Sequence, residues 1–156
     1  WTYGLGQVIG MEERIISDRK ALYYAVKVRD MTVWVPVDDQ LEIRLRPPSS
    51  RRKFQNLFAI LSASGEPLPE DRHERKLSLV ERLKDGRAES LCRLIRDLHA
   101  YQQVHSLNDN DNNLMKRSRD ALLDEWGFVL AVPTVEAEQE LHRLLSANAS
   151  GAEAPR

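Results

Sequence analysis

The 156-residue chain has one cysteine, no long hydrophobic run and almost no net charge, and each of these excludes a class of protein. The single cysteine, Cys92, excludes an internal disulfide and a cysteine-based zinc site, which fits a reducing cytosol. No apolar stretch approaches the roughly 20 residues needed to cross a bilayer, and no signal-peptide pattern opens the chain. The formal net charge of −1 excludes nucleic-acid binding by bulk charge, so such binding would need a local patch.

A change of periodicity at Pro47-Pro48 divides the chain into two regions. Upstream, apolar and polar residues alternate as in β-strands, whereas downstream the apolar residues recur with the period of a helix. The 42% hydrophobic and 30% charged shares are those of a globular protein. We therefore predict an α+β protein with a β domain over residues 1–48, a helical domain over residues 49–146 and a flexible tail over residues 147–156.

The first region predicts a small β-barrel of four or five short strands. Residues 21–28 and 31–36 are rich in β-branched and aromatic side chains, and the polar pair Arg29-Asp30 between them suits a tight hairpin turn. Further strands are predicted before this hairpin over Met11–Ile16 and after it over Ile43–Arg46. Such a set of short strands is typical of an SH3-like or Tudor-like barrel.

The second region predicts about five helices. The clearest apolar stripe has the spacing i, i+3, i+4 and i+7 and consists of Phe54, Leu57, Phe58 and Leu61. Ser49 or Ser50 can cap this helix. The other stripes contain Leu77, Val80 and Leu83; Leu91, Leu94, Ile95 and Leu98; Leu122, Leu123, Trp126, Val129 and Leu130; and residues from Thr134 to Leu145.

No pattern of residues predicts catalysis, a cofactor or a metal site. The four histidines are scattered, and no two have the i, i+4 spacing of zinc ligands on a helix. Asp109, Asp111 and Asn113 resemble the start of a calcium loop. The glycine and glutamate that this loop needs at its sixth and twelfth positions are replaced by Leu114 and Asp120. We expect no enzyme, no cofactor and no small-molecule substrate.

The charged residues are segregated by sign along the helical region. Between Arg72 and Arg96, basic residues outnumber acidic ones eight to four, and Lys116, Arg117 and Arg119 form a second basic cluster. Acidic residues dominate after Asp120. This segregation favours one positive face for phosphates. An equally good interpretation is a solvated helix face with local ion pairs such as Glu81–Lys84 and Glu89–Arg93.

Several segments together resemble the CarD/CdnL family of bacterial RNA-polymerase-binding regulators. The resemblance covers most of the chain. Its most specific part is the combination of the Thr-Val-x-Val-Pro-Val element at residues 32–37 with the Arg-Asp-Leu element at residues 96–98. The segments that carry it are Gly4–Val8, Glu12–Arg14, Tyr24–Val28, Met31–Val37, Leu45–Pro47, Leu79–Gly86 and Leu94–Leu98.

The resemblance implies a Tudor-like domain that docks on the RNA polymerase β subunit. It also implies a helical domain that touches promoter DNA at the upstream edge of the melted bubble and stabilises the open complex. The expected location is the cytoplasm, at the nucleoid through RNA polymerase, with no membrane contact. DNA contact should be weak and largely independent of sequence, since no helix has base-reading residues at recognition spacing.

Site residues follow from the same resemblance and from the basic clusters. The residues expected to contact the polymerase are Arg14, Trp34, Tyr24 and Lys27. Alternation with Val33 and Val35 favours an outward Trp34, the alternative being burial in the barrel. The residues expected to contact DNA are Arg72, Arg75, Lys76, Lys116 and Arg117.

Two departures from the family pattern affect these expectations. The family's opening strand is absent before Trp1; either the sequence is truncated there or the segment has been lost, and in both cases we expect the barrel of residues 1–48 to lack its first strand. The family places a tryptophan wedge just before its basic helix, whereas Arg72 stands at that position here. An arginine can enter a narrow minor groove, but it cannot separate a stacked base step as an apolar wedge does. DNA contact should therefore be weaker or more salt-dependent than in a relative with the tryptophan. The main alternative is therefore a polymerase-binding adaptor without productive DNA contact; a more distant one is an enzyme hidden in the helical region.

Overall fold

Residues 3–147 form a three-stranded antiparallel sheet followed by six helices, as described by a computed structural model of the chain. The strands are β1 (Gln7–Ile16), β2 (Arg19–Val28) and β3 (Met31–Pro36). The helices are α1 (Leu41–Arg44), α2 (Arg51–Ser62), α3 (Arg72–Leu83), α4 (Ala88–Gln102), α5 (Asp109–Leu130) and α6 (Thr134–Ser146). The predicted α+β class is confirmed, with five helices after residue 49. The tail predicted over residues 147–156 lies outside the described residues beyond Ala147.

The sheet consists of two hairpins in the order β1-β2-β3. Ser17 and Asp18 have φ values of 51° and 62°, and Arg29 has a φ of 53°. Tight two-residue hairpin turns use such left-handed conformations because they match the twist of the strands. The hairpin predicted around Arg29-Asp30 is thus confirmed, with Tyr24 opposite Val35.

The strand predicted over Ile43–Arg46 is wrong, because this segment belongs to the short helix α1 and the extended residues after it. Asp38 organises the turn that starts α1. Its carboxylate accepts hydrogen bonds from the Gln40 N–H (2.9 Å) and from Arg44 Nη1 (2.6 Å), and its carbonyl accepts from the Leu41 N–H (3.0 Å). Within residues 3–147 the sheet has three strands and is not closed, so the predicted Tudor-like barrel is not confirmed.

Helices α2–α6 enclose the larger of two hydrophobic clusters, and α4 is buried along most of its length. Ser50 caps α2 by accepting a hydrogen bond from the Lys53 N–H. The predicted core position of Trp126 is confirmed, since its ring is 2% exposed and packs 4.5 Å from the ring of Phe58. Among the described residues, no helix combines the length and apolar character needed to span a membrane.

The buried stripe of α3 is not the predicted one. Leu83 is buried as expected, but Leu77 is 58% exposed, and Arg75 and Leu79 occupy the interior face. The spacing of the buried residues is i, i+4 and i+8, which is equally consistent with one face of a helix. The α3 helix is rotated so that its interior stripe includes a charged side chain, and this changes the set of exposed cations.

Candidate protein and DNA interaction surfaces

The outer face of the sheet carries three of the four residues predicted to contact the polymerase. Alternate residues of a strand point to opposite faces, and the strand register aligns these residues across the sheet. Trp34 lies opposite Ala25, while Arg14 lies opposite Ala21 on the neighbouring strand. Lys27 has the same parity as Ala25, so it lies on this face too.

Arg14 and Trp34 form a cation–π pair on this outer face. The guanidinium carbon of Arg14 lies 3.9 Å from the centre of the Trp34 ring. Gly10 and Ala25 occupy the same cross-strand row as Trp34. The face is open at Gly10, where an added Cβ would meet no atom within 4 Å, whereas Ala25 is buried at 6% exposure. Arg14 also lies 3.3 Å from Glu12 Oε1. Trp34 is half-buried and Arg14 is exposed, which leaves a preformed flat surface of the kind that serves as an interface anchor.

Tyr24 does not share this face. Its side chain has the parity of Val26 and Val28 and packs against the small cluster that these residues form with Val35. The prediction grouped Tyr24 with Lys27 because both lie on one strand, but an odd separation puts them on opposite faces. We therefore leave Tyr24 out of the outer surface, which we define as Arg14, Trp34 and Lys27.

The exposed cations Arg72 and Lys76 lie in the first two turns of α3. Asp71 caps this helix, and its Oδ1 accepts hydrogen bonds from the backbone N–H groups of His73 and Glu74, both at 2.9 Å. Arg72 and Lys76 follow the cap at positions i and i+4, so they are neighbours on one side of the helix. Both are exposed, and neither makes an ion pair within residues 3–147, which leaves their charges available to an anionic partner.

Arg75 lies in the interior and not on this basic surface, which corrects its predicted role. It is 2% exposed, and its Nε and Nη2 lie 2.9 and 2.8 Å from Asp111 Oδ2. Its Nη1 donates to the carbonyls of Pro69 (2.8 Å) and Glu70 (2.9 Å). The hydrogen bond with Asp111 raises the pKa of Arg75 above its ordinary value. Arg75 thus fastens the start of α3 to the start of α5, which positions Arg72 and Lys76 without exposing its own charge.

Two more of the basic residues counted between Arg72 and Arg96, the partly exposed Arg82 and the buried Arg96, are paired with a buried carboxylate. Asp97 is fully buried and receives Arg82 Nη1 at 2.7 Å and Arg96 Nε at 2.8 Å. Its Oδ1 also accepts the Glu66 backbone N–H at 2.8 Å. The Arg-Asp-Leu segment that carried part of the family resemblance is therefore a packing element, and the eight-to-four excess of bases overstates the exposed positive charge.

The predicted local ion pairs are present in part. Lys84 pairs with Glu81 one turn earlier, as predicted. Glu89 pairs with Lys53 of the neighbouring helix α2 at 3.1 Å, and not with Arg93 as predicted. A sequence contains no direct signal for this choice, because Lys53 becomes a neighbour of Glu89 only when α2 packs on α4.

Lys116 and Arg117 are exposed on α5, one to two turns beyond the Arg75–Asp111 pair. The contact between Arg75 and Asp111 brings the starts of α3 and α5 together. We define the basic surface as the four exposed cations Arg72, Lys76, Lys116 and Arg117. Lys116 borders Glu138 of α6, whereas Arg117 borders Tyr3 and Met31 on the sheet side, so the four charges are spread over more than one side of the helices. Asp109 and Asp111 lie in the first turn of α5, and the charge of Asp111 is paired with that of Arg75.

Reactive chemistry has no support among the described residues. Within residues 3–147 no three histidine, cysteine or acidic side chains converge as metal ligands would. Cys92 is fully buried, and burial raises the pKa of its thiol to about 12, which keeps it in its unreactive neutral form. Burial also lowers the pKa of His99, with smaller contributions from His142 and Arg119.

The fold and its surfaces define a class: a small α+β protein with an exposed sheet face and with exposed cations on two of its helices. Residues 56–142 match the family model described as CarD, C-terminal domain. The match covers more than half of the chain, and the protein belongs to the CarD family. It is therefore a transcription-related protein of a family of non-catalytic regulators.

Proposed function

We propose that the protein docks on the RNA polymerase β subunit through its outer surface and contacts promoter DNA at the upstream edge of the bubble. In this role it stabilises the open complex. The observation that carries the proposal is the Arg14–Trp34 pair, because the family resemblance assigns both positions to the polymerase contact. Its preformed geometry lowers the entropy that binding must overcome.

The basic surface supports the DNA half of the proposal. Arg72 and Lys76 are exposed without ion pairs among residues 3–147, and Lys116 and Arg117 extend the positive charge along α5. Exposed cations bind phosphates with the release of counterions and without sequence preference. Promoter contact would therefore be electrostatic and sensitive to salt.

A binding experiment with an isolated β-lobe fragment tests the docking half. The wild-type chain is compared with Arg14→Glu/Trp34→Ala, and Lys20→Glu serves as control because it changes a cation on the opposite face of the same hairpin. We expect saturable binding by the wild type and the control, and at least a tenfold loss in the double variant. Equal binding by all three chains would remove the outer surface from the proposal.

A salt titration on a bubble-containing duplex tests the DNA half. The slope of log affinity against log salt falls by about 1 for each phosphate contact that is lost. We expect Arg72→Ala/Lys76→Ala to reduce the slope by about 2, whereas Arg143→Ala on α6 should leave it unchanged. An unchanged slope in the double variant would assign DNA contact elsewhere.

A second candidate function is a polymerase-binding adaptor without productive DNA contact. The observation that favours it is the internal pairing of Arg75, Arg82 and Arg96, which leaves a smaller basic surface than the sequence predicts. Salt-independent or undetectable binding to the bubble duplex, together with intact β-lobe binding, would support this alternative.

A further inference from the structure

Arg46 and Glu125 join the segment that follows the sheet to helix α5. Arg46 lies just after α1, and its Nη1 and Nη2 donate to the two carboxylate oxygens of Glu125 at 2.9 and 2.8 Å. Arg46 Nε donates to the Gly86 carbonyl at 2.8 Å, in the turn between α3 and α4. The Ser49 backbone N–H donates to Glu125 Oε1 at 2.6 Å. One guanidinium therefore connects the sheet side of the molecule to α5 and to the end of α3.

Glu125 is charged in this arrangement although it is 6% exposed. Burial alone would raise its pKa, but the hydrogen bonds from Arg46 and from the Ser49 backbone outweigh it and hold the pKa below its ordinary value. The hydrogen bond with Glu125 raises the pKa of Arg46 despite the partial burial of this side chain. The two parallel hydrogen bonds between the guanidinium and the carboxylate require a defined geometry. This pair therefore fixes the relative orientation of Arg46 and Glu125 as well as the distance between them.

Two further contacts close the same junction. Arg29, in the turn between β2 and β3, pairs with Asp124 of α5 at 2.9 Å. Gly86 has a φ of +66°, and a Cβ at this position would lie 2.4 Å from the Ile43 carbonyl of α1. The end of α3 therefore lies directly against the segment that leaves the sheet.

Apolar packing at the junction is incomplete. A cavity of about 160 Å³ lies between the sheet and the helices beside Arg46 and Glu125. Its apolar lining includes Val26, Val28, Val35, Leu45, Leu91 and Ala121. A continuous core would resist rotation of one region against the other, whereas an open junction relies on its polar contacts.

We propose that the Arg46–Glu125 pair is a positioning element that sets the angle between the outer surface and the basic surface. The inference rests on the proposed function, because it matters only if the two surfaces engage one assembly. Two linked binding sites gain 100-fold to 10,000-fold in avidity, roughly, only when their geometry permits simultaneous contact. Neither residue touches a partner in this proposal; both act by holding the two surfaces in register.

The test measures wild-type and variant binding to three targets: the β-lobe fragment, the bubble duplex and the assembled polymerase–promoter complex. The variants are Glu125→Gln, which removes the charge, and Arg46→Met/Glu125→Leu, which replaces both partners with apolar groups so that no unpaired charge remains in the interior. Arg143→Ala is the control, because it breaks an exposed ion pair inside α6. A urea titration of each chain verifies folding.

We expect both variants to bind the separate targets within about twofold of the wild type and the assembled complex at least about tenfold more weakly. An unchanged affinity of both folded variants for the assembled complex would overturn the inference. A wild type that binds neither separate target would overturn the proposed function instead.

A distance measurement keeps the inference testable in that last case. Spin labels are placed by Asp30→Cys on the sheet and Glu74→Cys on α3, and the buried Cys92 thiol stays unlabelled. We expect a narrow distance distribution in the wild type and the Arg143→Ala control, and a broadened one in both junction variants. Equal widths in all four chains would overturn the inference independently of any binding partner.

Discussion

The helical region and the sheet differ sharply in how much they bury. Among residues 3–147, the helical cluster contains 21 buried hydrophobic residues, whereas the cluster beneath the sheet contains three, Val26, Val28 and Val35. All ten residues of β1 are exposed, while most of α4 is inaccessible. The helices therefore provide most of the stability of the fold. The sheet buries little apolar area of its own and depends on its attachment to α5.

The contrast implies that substitutions in the two regions affect different properties of the protein. A change in the helical interior acts on folding, whereas a change on the outer sheet face acts mainly on binding. Charged residues follow the same division. Arg75 and Asp97 are structural because they are buried and paired, whereas Arg14 and Arg72 are exposed, Arg14 within its surface pair with Trp34 and Arg72 without an ion pair among residues 3–147.

The largest effect is expected from Arg75→Met. The substitution leaves Asp111 buried without its partner, and breaking a buried ion pair in this way costs about 3–5 kcal/mol. Urea unfolding followed by circular dichroism should show a much lower midpoint with little change in slope. An unchanged midpoint would mean that Arg75 is not part of the folding core, and it would return this residue to the basic surface.

Parallel truncations in the two clusters sharpen the comparison directly. Leu94→Ala removes a fully buried side chain of α4 and should cost about 2–5 kcal/mol of unfolding free energy. Val26→Ala removes two methyl groups from the thin cluster beneath the sheet and should cost roughly half as much. Equal losses, measured in the same urea titration, would contradict the view that the helices dominate stability.

The contribution of Glu125 should depend on pH. Its folded-state pKa lies below the ordinary value of 4.5, so its stabilisation is present above about pH 4.5 and is lost as the pH falls through the folded-state pKa. Glu125→Gln should therefore be less stable than the wild type at about pH 7, and the difference should shrink at about pH 3. A difference that stays constant with pH would assign the stabilisation to shape and not to charge.

The smallest effect is expected from Arg143→Ala. Arg143 and Glu140 form an exposed i, i+3 pair on α6, and solvent screens such pairs almost completely. The urea midpoint should stay within the error of the measurement. A clear loss would show that exposed pairs matter in this protein, and the distinction drawn between Arg75 and the surface cations would have to be revised.

The helices were largely predictable because apolar spacing is a local signal. The stripe from Phe54 to Leu61 led to α2, whereas α5 begins at Asp109, well before the stripe from Leu122 to Leu130 that indicated it. The rotation of α3 was harder to predict, because Leu77 and Leu79 belong to two different apolar stripes and only one of them can face the interior. The four-residue spacing between Arg75 and Leu79 was the available signal, but a charged residue on an interior face is recognised only once Asp111 is known to be its partner.

The sheet region was predicted less completely. Ile43–Arg46 alternates like a strand, yet the hydrogen bonds to Asp38 organise a short helix there. Tyr24 was placed with Lys27 by closeness in sequence, although the face of a strand is decided by parity. The Arg46–Glu125 pair spans 79 residues, and no periodicity in a single sequence reports a contact of that range.

Gly86 limits which sequences can keep this arrangement. Any other residue would have to adopt a positive φ and place its Cβ within 2.4 Å of a backbone oxygen in α1. In a library of all single substitutions selected for the folded chain, position 86 should therefore tolerate almost nothing but glycine. Gly86 belongs to neither hydrophobic cluster and to neither the outer nor the basic surface. A requirement for glycine at this position would show that the end of α3 and the segment after the sheet lie in close backbone contact.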